Sequence, residues 1–169
     1  MIRPARAGDV RRLQEVEAAA GGAFREVGMD WVADDPPPGE HELLAFVRAG
    51  RAWVVEHRGA VAAYLLAEVV DDAVHVEQVS VHPDHAGQGL GRVLVDHAAA
   101  WGRARGLAAQ PLTTFDGVPW NRPYYERLGF EVVDDAALAP GLRAVREAEA
   151  ARGLDRAARV AMRRRLPPA

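Results

Sequence analysis

Between Val79 and Leu94 the chain reads V-S-V-H-P-D-H-A-G-Q-G-L-G-R-V-L: an alternating apolar strand, a proline-marked turn, three glycines at every second position, then an apolar helical run. Gly87, Gly89 and Gly91 have no Cβ, so the main chain can bend tightly there and come close to a ligand. The amides of residues 88–92 then point outward at the positive end of the following helix, an arrangement that binds a pyrophosphate without any charged side chain. The spacing separates this loop from two better-known relatives. A P-loop needs Gly-Lys-Ser/Thr after its glycines, and here Gly91 is followed by Arg92-Val93. A dinucleotide fingerprint needs G-x-G-x-x-G, whereas this run is G-x-G-x-G, with no acidic residue closing a second strand where a ribose contact belongs.

The 169 residues suit one domain over 1–169, and 49% apolar with 27% charged residues describe a globular chain. All 21 basic residues are arginine, scattered until the run Arg163-Arg164-Arg165, which reads as a solvated strand end, and the net charge is −3. No basic stripe matches a phosphate backbone, so nucleic acid is not an expected partner. The absence of cysteine excludes a disulfide framework, a thiolate nucleophile and a zinc-thiolate site. The start Met-Ile-Arg-Pro-Ala-Arg lacks an apolar signal core and the longest apolar run, 60–67, is far too short to span a bilayer, so a cytoplasmic protein without membrane attachment is expected. His82, Asp84 and His85 lie in one turn but lack a further ligand of matching spacing, and no metal is expected.

Along the chain, 2–5 reads as an edge strand and Gly8-Asp9 as an N-cap for a helix with Val10, Leu13, Val16 and Glu17 at helical spacing. Residues 21–39, with Gly21-Gly22, Asp34-Asp35 and Pro36-Pro37-Pro38, read as a long loop or broken helix and a candidate lid. A helix over 40–48 follows, with Leu43, Leu44 and Val47 inward. Strands at 52–57, 60–69 and 74–81 come next, the first two joined by an Arg58-Gly59 hairpin. The glycine loop opens a helix over 91–105 with Val93, Leu94, His97 and Trp101 on one stripe and Gly106 as its stop. Further on, the pattern predicts strands at 112–115 and 130–133, a short helix ending at Leu128-Gly129, a helix over 140–151 and a final strand over 157–166, together one α/β domain with a mixed sheet.

Two segments taken together resemble a known family. The glycine loop after V-S-V-H-P, followed by Asn121-Arg122-Pro123-Tyr124-Tyr125-Glu126-Arg127-Leu128-Gly129-Phe130, is similar to the GNAT superfamily of acyl-CoA dependent N-acyltransferases, and the order of elements over 2–130 is the one that family uses. The resemblance implies a mixed, strongly twisted sheet of six to seven strands with helices on both faces and a splay between two central parallel strands, the one ending at Val81 and the one ending at Phe115. It implies acetyl-CoA as co-substrate. The pantetheine arm would lie as a pseudo-strand on the backbone of Val79 and Val81, and the pyrophosphate on the amides of Ala86, Gly87, Gln88, Gly89, Leu90, Gly91 and Arg92, with Asn121 a further pantetheine ligand. Residues 74–130 would form the acyl-CoA-binding core and 8–50 with 134–169 the acceptor side. Two features depart from the family pattern. Ala86 stands where Arg or Gln is usual, a loss of about 0.5–1.5 kcal/mol of hydrogen bonding to a largely main-chain contact, and Asn121 lies nearer to Tyr125 than in many members.

The reaction implied has two proton problems. An amine of pKa about 10.4 is protonated near neutrality and must lose a proton, while a thiolate must leave. Tyr125 occupies the slot of the family's tyrosine beside the coenzyme sulfur and would be the general acid. Glu77 and His75 share a strand face, since strand side chains alternate, and are the candidate bases, Glu77 first. Gln78 and Ser80 face the other way, as packing or hydrogen-bonding residues. The thioester is already activated, so direct attack is expected, with a backbone amide near Val79 holding the oxyanion. The acceptor, a small-molecule or protein amine, would meet Phe24, Met29, Trp31 and Trp120, with the acidic loop residues Asp30, Asp34, Asp35, Glu40 and Glu42 favouring a cation. A homodimer is an expected assembly. The alternatives are a non-catalytic acyl-CoA sensor or interaction module, and a nucleotide-binding domain that takes no CoA.

Overall fold

Long apolar runs that alternate too little to leave one face wet build the first part of the chain. In the computed structural model, which describes residues 1–168, β1 (Ile2–Pro4), β2 (Ala52–His57), β3 (Ala60–Val70) and β4 (Ala73–Val81) form a four-stranded sheet in that order, with antiparallel β1/β2 and β2/β3 ladders. Arg58 and Gly59 both take positive φ (52° and 80°), the two-residue turn whose twist matches a hairpin. A second such turn, unforeseen in the sequence, sits at Asp71-Asp72 between β3 and β4 (φ 50° and 56°); short polar side chains tolerate that region best after glycine.

The chain divides into two compact units, Met1–Ala67 with Glu77–His97, and Glu68–Val76 with Ala98 onward. In the first, α1 (Val10–Gly21), the one-turn α2 (Asp30–Ala33) and α3 (Glu40–Arg48) precede β2, and α4 (Leu90–Arg103) follows β4. Leu13, Val16, Leu43 and Phe46 pack on Val54, Tyr64 and Leu66. The neighbouring position Trp53 turns to the opposite face and meets His97 of α4 edge-on at 5.5 Å. Helices therefore cover both faces of β2, which explains why Ala52, Trp53, Val54 and Val55 are all buried. Phe46 is a core residue where the sequence pointed to Leu44 and Val47, which are only partly buried. Asp9 does not cap α1 with its side chain; it accepts the Arg6 amide (2.7 Å) and pairs with Arg3 of β1 (2.7 Å).

The second unit holds β5 (Ala109–Phe115), α5 (Arg122–Arg127), β6 (Glu131–Val133), α6 (Pro140–Ala151) and β7 (Arg159–Arg165). β7 runs antiparallel between β5 and β6, so the last strand of the chain is the middle of its sheet. α6 is fixed at its start by Asp71, whose two carboxylate oxygens accept the amides of Gly141 and Leu142 at 2.7 Å each. It is fixed further along by the buried Glu149, which accepts from Arg159 (2.8 Å) and from the Thr113 hydroxyl. The seven strands expected are all present, divided between two sheets, and the pair expected to part, β4 and β5, are each the edge strand of their own sheet. The stripe of α4 differs from expectation: Val93 is exposed, and Leu94, Val95, Ala98 and Ala99 are buried. Gly102 continues that face, where a Cβ would lie 2.7 Å from Val74. Among the described residues no helix is long and apolar enough to cross a membrane.

Candidate active site

The glycine loop begins with a 3-10 turn, Pro83–His85, in which His82 Nδ1 accepts the Asp84 amide (3.2 Å). The Ala86 amide is spent on the Pro83 carbonyl (3.0 Å), so Ala86 offers no N–H to a ligand and the expected cradle starts one residue later. Gly87 and Gly89 both sit at φ 74° with open space where a Cβ would stand; their conformation, not crowding, demands glycine. Val93 makes the first main-chain bond of α4, to the Gly89 carbonyl (3.1 Å). Among the described residues the amides of Gly87, Gln88, Gly89, Leu90, Gly91 and Arg92 donate to no backbone carbonyl, which leaves a row of six donors at the positive end of a fourteen-residue helix. Such a row fits a diphosphate. The Arg92 side chain is exposed and runs along the helix to Asp96 (3.6 Å). β4 ends its sheet, so the backbone of Val79 and Val81 lies on an edge, where an extended ligand can add as a strand.

His75 and Glu77 lie on β4 with the same parity but different surroundings, His75 being buried and Glu77 exposed. Gln78 and Ser80 are hydrogen-bonded, as expected, and their partner is Glu17 of α1, to which Gln78 Nε2 donates at 3.0 and 3.1 Å. In the sequence Glu17 shows only as a helix-face residue, and nothing there marks Tyr64, which donates to it at 2.9 Å. The available signal is a carboxylate beside the apolar face that Val10, Leu13 and Val16 form on α1.

In the second unit, Tyr125 owes its setting to the end of α5. The Gly129 amide donates to the Glu126 carbonyl (3.0 Å) and the Phe130 amide to the Tyr125 carbonyl (3.1 Å), with Gly129 at φ 88°. This left-handed helix ending brings the residue after the glycine against the one five positions earlier, and the Phe130 and Tyr125 rings meet edge-on at 5.7 Å. The Leu-Gly-Phe part of the motif is thus the clamp of the tyrosine. Arg164 holds the clamp from β7, its guanidinium 4.9 Å over Phe130, donating to the Leu128 carbonyl (3.1 Å) and Gln110 Oε1 (2.8 Å). Tyr125 is half-buried; loss of water, then the neighbouring Tyr124, holds its phenol above the usual tyrosine range. Asn121 precedes α5, with its carbonyl taken by the Tyr125 amide (3.1 Å) and no side-chain cap bond.

The segment 22–39 is folded. A 3-10 turn, Gly22–Val27, closes on Gly28 (φ 72°), the Met29 amide donates to the Phe24 carbonyl (3.0 Å), and Gln14 reaches the Pro38 carbonyl (3.0 Å). Met29 is buried within it, while Phe24 and Trp31 are half-buried. Asp34 is paired with Arg25, which removes one charge from the acidic stretch. Trp120 is exposed.

The fold is shared with solved acetyltransferases. It is similar to the ribosomal-protein-S18-alanine N-acetyltransferase from Escherichia coli over 100% of this chain and 95% of that one, at 19% identity and TM-score 0.69. It is similar to PaiA N-acetyltransferase from Thermoplasma acidophilum, solved in complex with coenzyme A, over 98% of both chains at 13% identity and TM-score 0.73. The ribosomal-protein-alanine N-acetyltransferase from Brucella melitensis matches over 98% of this chain and 99% of that one, at 16% identity and TM-score 0.70. A likeness at these identities is one of fold. The acetyltransferase (GNAT) family model, however, matches residues 17–130, which include the glycine loop and the Tyr125 helix, and the chain therefore belongs to the acetyltransferase (GNAT) family.

Proposed function

We propose that the protein transfers an acetyl group from acetyl-CoA to a primary amine by direct attack, as one N-acyltransferase domain over 1–169. The observation that carries this reading is the row of open amides from Gly87 to Arg92 at the start of α4; the coenzyme A bound to the Thermoplasma relative supports it. The amides would hold the diphosphate, and the edges of Val79 and Val81 the pantetheine arm, with Asn121 a further contact. Bound acetyl-CoA supplies an activated thioester, so no residue need form a covalent intermediate. Glu77, the exposed carboxylate of β4, takes the proton that the amine must shed; His75, buried two positions earlier, is the less accessible candidate. Tyr125 gives its phenolic proton to the sulfur as the carbon–sulfur bond breaks, and recovers a proton from solvent. Its raised pKa keeps it in the donating form. Phe24, Trp31 and Trp120 offer apolar surface for the acceptor, with Met29 supporting them from within.

Thiol release from acetyl-CoA with a panel of small amines and peptide N-termini tests the reading. Amine-dependent release is expected, and Glu77→Gln should lower the rate chiefly at low pH, where the amine most needs a proton acceptor. Coenzyme binding with no thiol release across the panel, unchanged by Tyr125→Phe, would instead mark an acyl-CoA sensor.

A further inference from the structure

Glu17 is a charge without a counterion. Its Oε2 accepts from the Tyr64 hydroxyl (2.9 Å), Gln78 Nε2 (3.0 Å) and the Ser80 hydroxyl, while Oε1 accepts from Gln78 Nε2 alone (3.1 Å). Gln78 also donates to Ser80 Oγ (2.9 Å), which steadies both partners. Each carboxylate oxygen has room for about two acceptor bonds, so Oε2 is saturated and Oε1 has capacity left. All the donors are neutral, and among the described residues no arginine, histidine or chain terminus lies within ion-pair distance of Glu17. A neutral amide at position 17 could accept from the same two hydroxyls; the negative charge is surplus to the network. Charges drawn partly out of water are usually paired, and this one is half-buried.

The neighbourhood adds to the surplus. Tyr64 is fully buried, and burial followed by the Glu17 charge holds its phenol well above the usual range, so it remains a donor; Glu42 of α3 acts on the same phenol. Ser80 follows Val79 in β4, the residue whose edge is proposed to carry the pantetheine arm. α1 leads from Glu17 into the segment that holds Asp30 and Asp35.

We infer that Glu17 is the acceptor anchor: its Oε1 receives one N–H of the substrate's ammonium group, selecting protonated primary amines over neutral alcohols. This rests on the reading that the protein acetylates amines, and adds a binding residue on α1 separate from the proton acceptor on β4.

The test uses the whole chain, the Gln78 side-chain amide resonances as reporter, and n-butylammonium and n-butanol as probes. Butylammonium should shift those resonances saturably and bind at least about tenfold more tightly than butanol, the worth of one charge-assisted hydrogen bond. Glu17→Gln should remove that preference, and Ser80→Ala, which keeps the carboxylate, should leave butylammonium affinity within about threefold. Equal binding of the two probes, no shift at Gln78, or unchanged butylammonium affinity in Glu17→Gln would overturn the assignment. Should Glu17→Gln not fold, the probe contrast in the unsubstituted protein and in Ser80→Ala decides. The titration needs no coenzyme, so failure to bind coenzyme A would remove the acyltransfer reading while leaving this result to be read by itself.

Discussion

In the proposed reaction the glycine loop and the Tyr125 helix would serve by opposite means. In residues 87–92 the groups proposed to hold the coenzyme are main-chain amides, fixed by two positive-φ glycines and a helix start, and the side chains of Gln88 and Arg92 are exposed. In α5 the proposed general acid is one side chain, Tyr125, and its position depends on Gly129, Phe130 and an arginine from β7, distant in sequence. A main-chain site should therefore tolerate side-chain exchange and fail on backbone strain, whereas a side-chain site should fail when its supports are removed.

The largest expected effect belongs to the side-chain site. Tyr125→Phe should lower kcat by about a hundredfold, the low end for loss of a general acid, with coenzyme affinity changed less than about threefold. Arg164→Ala comes next. Loss of its bonds to Leu128 and Gln110 should cost about 1.5–3 kcal/mol in denaturant unfolding and lower kcat roughly tenfold by loosening the Tyr125 clamp, and lysine, lacking the planar fork, should restore little of either. In the main-chain site, Gly89→Ala forces a Cβ into the left-handed region at about 1–2 kcal/mol, which should appear as roughly tenfold weaker coenzyme binding with kcat at saturation retained. Gln88→Ala, one residue away, should change coenzyme affinity less than about twofold. Equal losses from Gly89→Ala and Gln88→Ala would break the distinction. The smallest effect is on pH: because its folded pKa is raised, Tyr125 stays protonated as pH climbs through the ordinary tyrosine value of about 10, so kcat should show no loss there from this group.

Legibility in the sequence followed the range of the forces. The hairpin at Arg58-Gly59, the helices at 40–48 and 140–151 and the glycine loop are set by neighbours within a few residues, and each lies where turn chemistry and periodicity put it. Two of the departures, at Arg164 and Glu17, come from partners far along the chain. Arg163-Arg164-Arg165 reads as a solvated strand end, yet Arg164 is built into the support of α5 because β7 enters the middle of its sheet, which only pairing with β5 and β6 decides. Val93 reads as a core residue from helical spacing alone, but Gly91, Ala98 and Gly102 let the helix present a small-residue face, and Val93 falls outside it. Glu17 was visible only as a position on α1; its bonds to Tyr64, Gln78 and Ser80 join residues more than forty positions apart. Ala86 departs from the family's side-chain pattern at the one loop position whose amide the preceding turn already uses.

The amide resonances of Gly87, Gln88, Gly89, Leu90, Gly91 and Arg92 in a titration with coenzyme A test the central claim most directly. Saturable shifts concentrated on those six amides, absent with pantetheine alone, are the predicted result. Binding that leaves them unmoved, or no binding at millimolar coenzyme A, would contradict it.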